Sequence, residues 1–201
     1  MDKKTRFFHF FRLLGIHAKL DLAWILRDFK TVLLMEISDI LSNLSSAAGM
    51  FLLAARFDGI GDMSTYEILF MMGYIVLLNG VFITFCAQNN GHISRIIGRG
   101  QLEHHFIQPV ALSTQLFTMG FAPFTALPTV LSGLALIGIS LHRLALRPQW
   151  WWILALLASI LLSFAMQLIQ SYLYSTAAFY SPVAAEEIST SILESLSELS
   201  R

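Results

Sequence analysis

The chain has 201 residues, 56% of them hydrophobic and 13% charged, with a mean hydropathy of +0.66 and a formal net charge of zero. A soluble domain carries about 45–50% apolar and about 25% charged residues, so this balance places the chain in a bilayer and gives no basis for nucleic-acid binding. The single cysteine, Cys86, lies inside an apolar run and excludes disulfides and cysteine-based metal sites.

Lys3, Lys4 and Arg6 open the chain as a signal peptide would, but Arg12, His17, Lys19 and Asp21 interrupt the apolar stretch that cleavage requires. Phe7, Phe11, Leu14, Ala18, Leu22, Ile25 and Phe29 instead fall on one helical stripe, with Arg12, Lys19 and Lys30 on the far side. This predicts an uncleaved interfacial helix over residues 1–30. About 20 apolar residues cross a bilayer as a helix, and four stretches qualify: 32–55, 66–87, 111–141 and 150–178. The expected fold class is an all-α integral membrane protein.

In the first span Glu36, Asp39, Asn43 and Ser46 share one helical face. A charge at mid-bilayer costs about 2.5–3.5 kcal/mol, so this face is expected to meet protein, water or the near interface rather than lipid. It reads as a wall of a transport path or a subunit interface, or as groups that snorkel or bond to a neighbouring helix. In the third span Pro123 and Pro128 are expected to kink or unwind the helix. In the fourth, Ser163, Gln167, Gln170 and Tyr174 line one face, a pattern that suits interhelical hydrogen bonds. Beyond Pro182 a short amphipathic helix is expected over 182–201, with Ile188, Ile192, Leu196 and Leu199 opposite Glu187, Glu194 and Glu198.

Lys and Arg counts set the orientation. Lys3, Lys4, Arg6, Arg12, Lys19, Arg27 and Lys30 precede the first span, whereas the loop after it offers only Arg56 beside Asp58 and Asp62. The N-terminus is therefore expected in the cytoplasm, together with the loop 88–110. Trp150, Trp151 and Trp152, after Arg147 and Pro148, then form an aromatic belt at the outer surface.

The residues give no catalytic constellation. Gly98-Arg99-Gly100 lacks the third glycine, the strand and the Lys-Ser/Thr pair of a phosphate loop, so no nucleotide site is expected on the chain itself. His104 and His105 are adjacent and project to different sides of a helix, which disfavours a shared metal. No cofactor and no metal are assigned to this chain.

The loop between the second and third spans carries the sequence's most specific wording, Ile97-Gly98-Arg99-Gly100-Gln101-Leu102-Glu103 followed by Gln108-Pro109. It resembles the cytoplasmic loop of ABC-2 family transporter permeases. Further likeness lies in the amphipathic N-terminal helix and in Ala178-Phe179-Tyr180-Ser181-Pro182 with Ala185-Glu186-Glu187-Ile188. The resemblance covers nearly the whole chain, read as a single transmembrane domain over 1–201. It implies a six-span permease that pairs with a second permease subunit and docks a separate ABC ATPase through a cytoplasmic coupling helix, here within 93–108. Four spans are read where the family has six, so the chain is expected to be shortened at its C-terminus relative to a six-span parent.

The resulting expectation is a membrane permease subunit in the cell membrane, an exporter driven by ATP on its partner. The competing class is a non-transporting membrane scaffold whose polar faces only bind neighbouring helices.

Overall fold

A computed structural model describes residues 3–57, 59–86, 96–97, 100–108, 110–145, 149–176 and 179–180. The expected C-terminal amphipathic segment 182–201 lies outside them, as do Gly98, Arg99 and Pro109 and the side chains of Phe7 and Tyr174. Among the described residues the regular elements are helices, and Ile60 and Met63 form only an isolated bridge. We label the helices α1 (Lys3–Arg27), α2 (Phe29–Arg56), α3 (Thr65–Cys86), α4 (Leu102–Ile107), α5 (Leu112–Met119), α6 (Pro123–Arg143) and α7 (Trp150–Thr176). Four of them, α2, α3, α6 and α7, are long and apolar enough to cross a membrane. The molecule is thus an all-α membrane protein with multiple spans.

The chain divides into two compact units. The first draws on the described parts of Met1–Arg27, Phe82–Thr125 and Met166–Leu199, the second on those of Asp28–Val81 and Ala126–Ala165.

In the second unit α3 is the central helix. Ala47 of α2, Leu69, Met72 and Val76 of α3 and Leu136 of α6 form one buried cluster, while Leu77, Ile137 and Ile160 form another that reaches α7. Helices in lipid gain little from apolar burial, so their association rests on close packing and hydrogen bonds. Both are present here. Gly73, Leu77 and Gly80 of α3 interdigitate with Ile137, Gly133 and Val130 of α6, each glycine receiving the other helix's larger residue. A Cβ on Gly133 would lie 2.5 Å from the Leu77 backbone nitrogen, and one on Gly80 would lie 2.9 Å from that of Val130. Ser140, fully buried in α6, donates to the Tyr66 carbonyl of α3 at 2.6 Å, and Tyr74 and Ser163 share a 2.9 Å hydrogen bond between α3 and α7.

The start of α3 is set by a capping box. The Ser64 N–H donates to the Glu67 carboxylate at 2.7 Å, and the Glu67 N–H points back to Ser64 Oγ at 3.4 Å.

The apolar run read as one span over 111–141 departs from that expectation. It contains two helices, α5 and α6, separated at Gly120, Phe121 and Ala122. The cause is Pro123. A proline disfavours the helical conformation of the residue before it and fits the first helical position after it, so α6 begins at Pro123. Pro128 is retained within α6, where the bond it cannot make is the one to the Phe124 carbonyl.

The glycine seam yields a test. Gly133→Ala, whose methyl meets the backbone of α3, is expected to destabilise the protein by about 1–3 kcal/mol. Gly138→Ala on the same helix meets nothing within 4 Å and is expected to be neutral or stabilising by up to about 1 kcal/mol. Thermal unfolding of the two variants in one detergent distinguishes them, and equal melting temperatures would dismiss the seam.

Candidate functional site

The central loop and its supports lie in the first unit. Gln101 donates its N–H to the Ile96 carbonyl at 2.9 Å and Gly100 donates to Ile97 at 3.1 Å. These are the paired bonds of a Schellman helix ending, with Gly100 as the left-handed residue at φ +68°. A Cβ at Gly100 would touch nothing, so the demand for glycine is conformational and not steric. The chain then turns through Gln101 directly into α4.

One side chain holds α4 in place. Gln115 of α5, only 6% exposed, donates through Nε2 to the Val110 carbonyl at 2.7 Å and to the His105 carbonyl at 3.1 Å. Its Oε1 pairs with His105 Nδ1 at 2.9 Å. The amide is therefore satisfied at both ends, and α4 is clamped to α5 on its inner side. On the outer side Phe106 and Ile107 are 65% and 80% exposed, alongside the exposed Glu103, His104 and Gln108. Ile97 and Leu102 are half-buried.

Beneath α4, aromatic rings bind α5 to its neighbours. Phe117 lies 6.0 Å from Phe10 of α1 and 6.2 Å from Phe85 of α3, and Phe85 in turn lies 5.6 Å from Phe121. Thr118, fully buried, bonds back through its hydroxyl to the Thr114 carbonyl at 2.8 Å.

The break before α6 exposes backbone groups that need partners. Ala122 donates to the Thr84 carbonyl at 2.9 Å. Asp21 of α1 accepts from the N–H groups of Phe124 at 2.8 Å and Thr125 at 3.2 Å, and the Thr125 hydroxyl donates to its other oxygen. A carboxylate from a helix about a hundred residues earlier thus caps the first turn of α6, where the helix dipole favours negative charge. The packed face of α1 accordingly comprises Phe10, Leu14, His17, Asp21 and Ile25. Of the apolar stripe read for the membrane surface, Phe11, Leu22 and Phe29 are exposed and Leu14, Ala18 and Ile25 are half-buried.

The polar residues of the spans do not form one constellation. Glu36, Asn43 and Ser46 are half-buried on the side of α2 that buries Val32, Ala47 and Ala54, whereas Asp39 is exposed. Ser163 is engaged by Tyr74. Gln167 and Gln170 are half-buried, and the Gln167 Oε1 is buried with no hydrogen-bond donor. Among the described residues no cluster of His, Cys, Asp and Glu suits a metal ion.

The four long apolar helices define the class, a multi-pass membrane protein. A family model described as ABC-2 family transporter protein matches residues 40–201, most of the chain, and the chain belongs to that family. No curated protein and no solved structure matched it.

Asp21 and Gln115 were not singled out as site residues from sequence. The only signal for Gln115 is a polar residue placed inside an apolar run; for Asp21 there is none before the broken span is known. Replacing Gln115 with Leu removes three hydrogen bonds and leaves the carbonyls of the half-buried His105 and Val110 without this donor, a loss of about 1–3 kcal/mol for each group. Amide hydrogen exchange over α4 is expected to accelerate by at least about tenfold in this variant. Unchanged protection would show that the amide is not what holds the helix.

Proposed function

We propose that this chain is the membrane-spanning permease subunit of an ABC-2-type exporter, driven by ATP hydrolysed on a separate subunit and completed by a second permease subunit, identical or homologous. The observation that carries this reading is the construction of α4. A docking helix must be stiff on its own side and presentable on the other. Gln115 supplies the first property, and the exposed Phe106 and Ile107 supply the second.

On this reading the ATPase docks on Gln101–Gln108, and the chain itself contributes no catalytic group and no cofactor. The left-handed Gly100 sets the direction in which α4 leaves the preceding turn. Gly98, Arg99 and Pro109 belong to the same proposed coupling segment. The half-buried Glu36 and Asn43 lie on the packed side of α2, and the exposed Asp39 faces a neighbouring subunit or water, since a carboxylate toward hydrocarbon costs about 2.5–3.5 kcal/mol. On α7, Ser163, Gln167 and Gln170 form a separate polar intramembrane face suited to hydrogen bonds between helices.

The proposed setting is the cell membrane, with the N-terminus and α4 in the cytoplasm. The support is the cluster of basic residues ahead of the first span. In a variant whose buried Cys86 is replaced by Ser, cysteines at Lys4 and Gln101 are expected to resist an impermeant thiol reagent in intact cells. One at the exposed Asp62 is expected to react. Reaction at Gln101 from outside would overturn both the orientation and the docking role.

The docking helix is tested by co-purification with the ATPase. Buried aromatic and aliphatic anchors at interface centres contribute about 2 kcal/mol or more, so Phe106→Asp with Ile107→Asp is expected to lower recovery by at least about tenfold. Gly100→Val, which strains the left-handed turn by about 1–2 kcal/mol, is expected to lower recovery or uncouple hydrolysis from transport. Arg99→Gln is expected to do less, since an exposed ion pair contributes about 0–1 kcal/mol. Full ATPase recovery and transport in both the Phe106/Ile107 and the Gly100 variants would remove α4 as the coupling element.

A further inference from the structure

The single acid of α1 is Asp21, and it faces inward, bound to the first turn of α6. The outer face of the helix is left without a carboxylate. Arg12 and Lys19 stand at the centre of that face, opposite the packed side formed by Phe10, Leu14, His17 and Asp21, and Arg27 extends the set by two further turns. None of the three has a carboxylate partner among the described residues. Burial holds the His17 imidazole below its ordinary value, so on the packed side that ring is neutral at pH 7.

The flanks of the basic strip are apolar. Ile16, Leu20 and Trp24 lie along one edge, 45%, 59% and 46% exposed, and Phe11, Leu22 and Leu26 lie along the other. Basic groups flanked by exposed apolar and indole side chains complement a lipid surface. The stems and rings enter the acyl boundary while the charges remain at headgroup level. A soluble acidic protein would satisfy the cations but leave six large apolar side chains in water. The contrast with α7 is direct, since its exposed side over Ile153, Leu154, Leu157, Leu161 and Leu162 carries no charge.

We propose that the outer face of α1 is a binding surface for anionic phospholipid, with Arg12, Lys19 and Arg27 holding the headgroup phosphates. Asp21 serves this surface indirectly: by capping α6 it withdraws the one negative charge that would otherwise oppose the lipid. The proposal does not depend on the docking of an ATPase at α4, and the loss of either leaves the other standing.

The test uses the full chain in nanodiscs of phosphatidylcholine containing a minor fraction of photoactivatable phosphatidylglycerol or, in parallel, of photoactivatable phosphatidylcholine, with adducts mapped by mass spectrometry. Phosphatidylglycerol is expected to label α1 in excess of phosphatidylcholine, while the outer face of α7 labels equally with both. Each of Arg12→Gln, Lys19→Gln and Arg27→Gln is expected to lower the ratio on α1 about fivefold, the effect of roughly 1 kcal/mol per basic residue at an anionic surface. Raising the salt shortens the reach of these charges and is expected to lower the ratio for the unsubstituted chain as well, which keeps the test decisive where a triple variant fails to insert. Equal labelling of α1 by the two lipids, an excess that survives the substitutions or high salt, or the same excess on α7 would overturn the proposal.

Discussion

A helix that begins in the middle of an apolar run leaves its first N–H groups without partners, and in a membrane protein such groups must be met from within the structure. Asp21 meets them. Its carboxylate accepts from Phe124 and Thr125 and from the Thr125 hydroxyl, so the interruption forced by Pro123 becomes a defined joint and not a defect. From this joint follow the separation of α5 from α6, the face by which α1 packs, and the aromatic layer of Phe10, Phe117 and Phe85. The short helix α4 rests on that layer through Gln115.

Two kinds of order thus coexist in the chain. In the second unit the packing is dry and governed by small residues, with α3 and α6 pressed together at Gly73, Gly80 and Gly133. In the first unit polar side chains and rings do the organising, through Asp21, Gln115, His105 and the phenylalanines. The family's transport function accords with this division. Spans need stable mutual contact, whereas the docking role proposed for α4 asks for a firm back and an open front.

The long apolar elements were legible in the sequence because continuous hydrophobicity over about 20 residues has one common solution. The left-handed conformation of Gly100 is one that glycine admits without strain, so that position suits its residue. The split of the third run was foreshadowed as a kink or a local unwinding at its prolines. A single proline gives the disruption, but its extent depends on whether distant groups such as Asp21 and Thr84 can satisfy the opened backbone. Periodicity gave α1 an apolar stripe through Phe11 and Leu22 for a membrane surface, and both are exposed; the protein-facing side through Phe10, His17 and Asp21 left no such signal, because it is set by the bond from Asp21 to α6. His105's pairing with Gln115 leaves Phe106 and Ile107 outermost on α4, two positions that the loop wording did not single out. Long-range hydrogen bonds leave no periodic trace.

The interlocking of α3 and α6 has a mechanical consequence. Because Gly133 lies against the backbone of Leu77 and not against a side chain that can change rotamer, the two helices cannot slide past one another by one residue without bringing main chain onto main chain. They behave as a single strut. Relative movement of the pair requires the two helices to separate first, because the contact that opposes it is main chain on main chain.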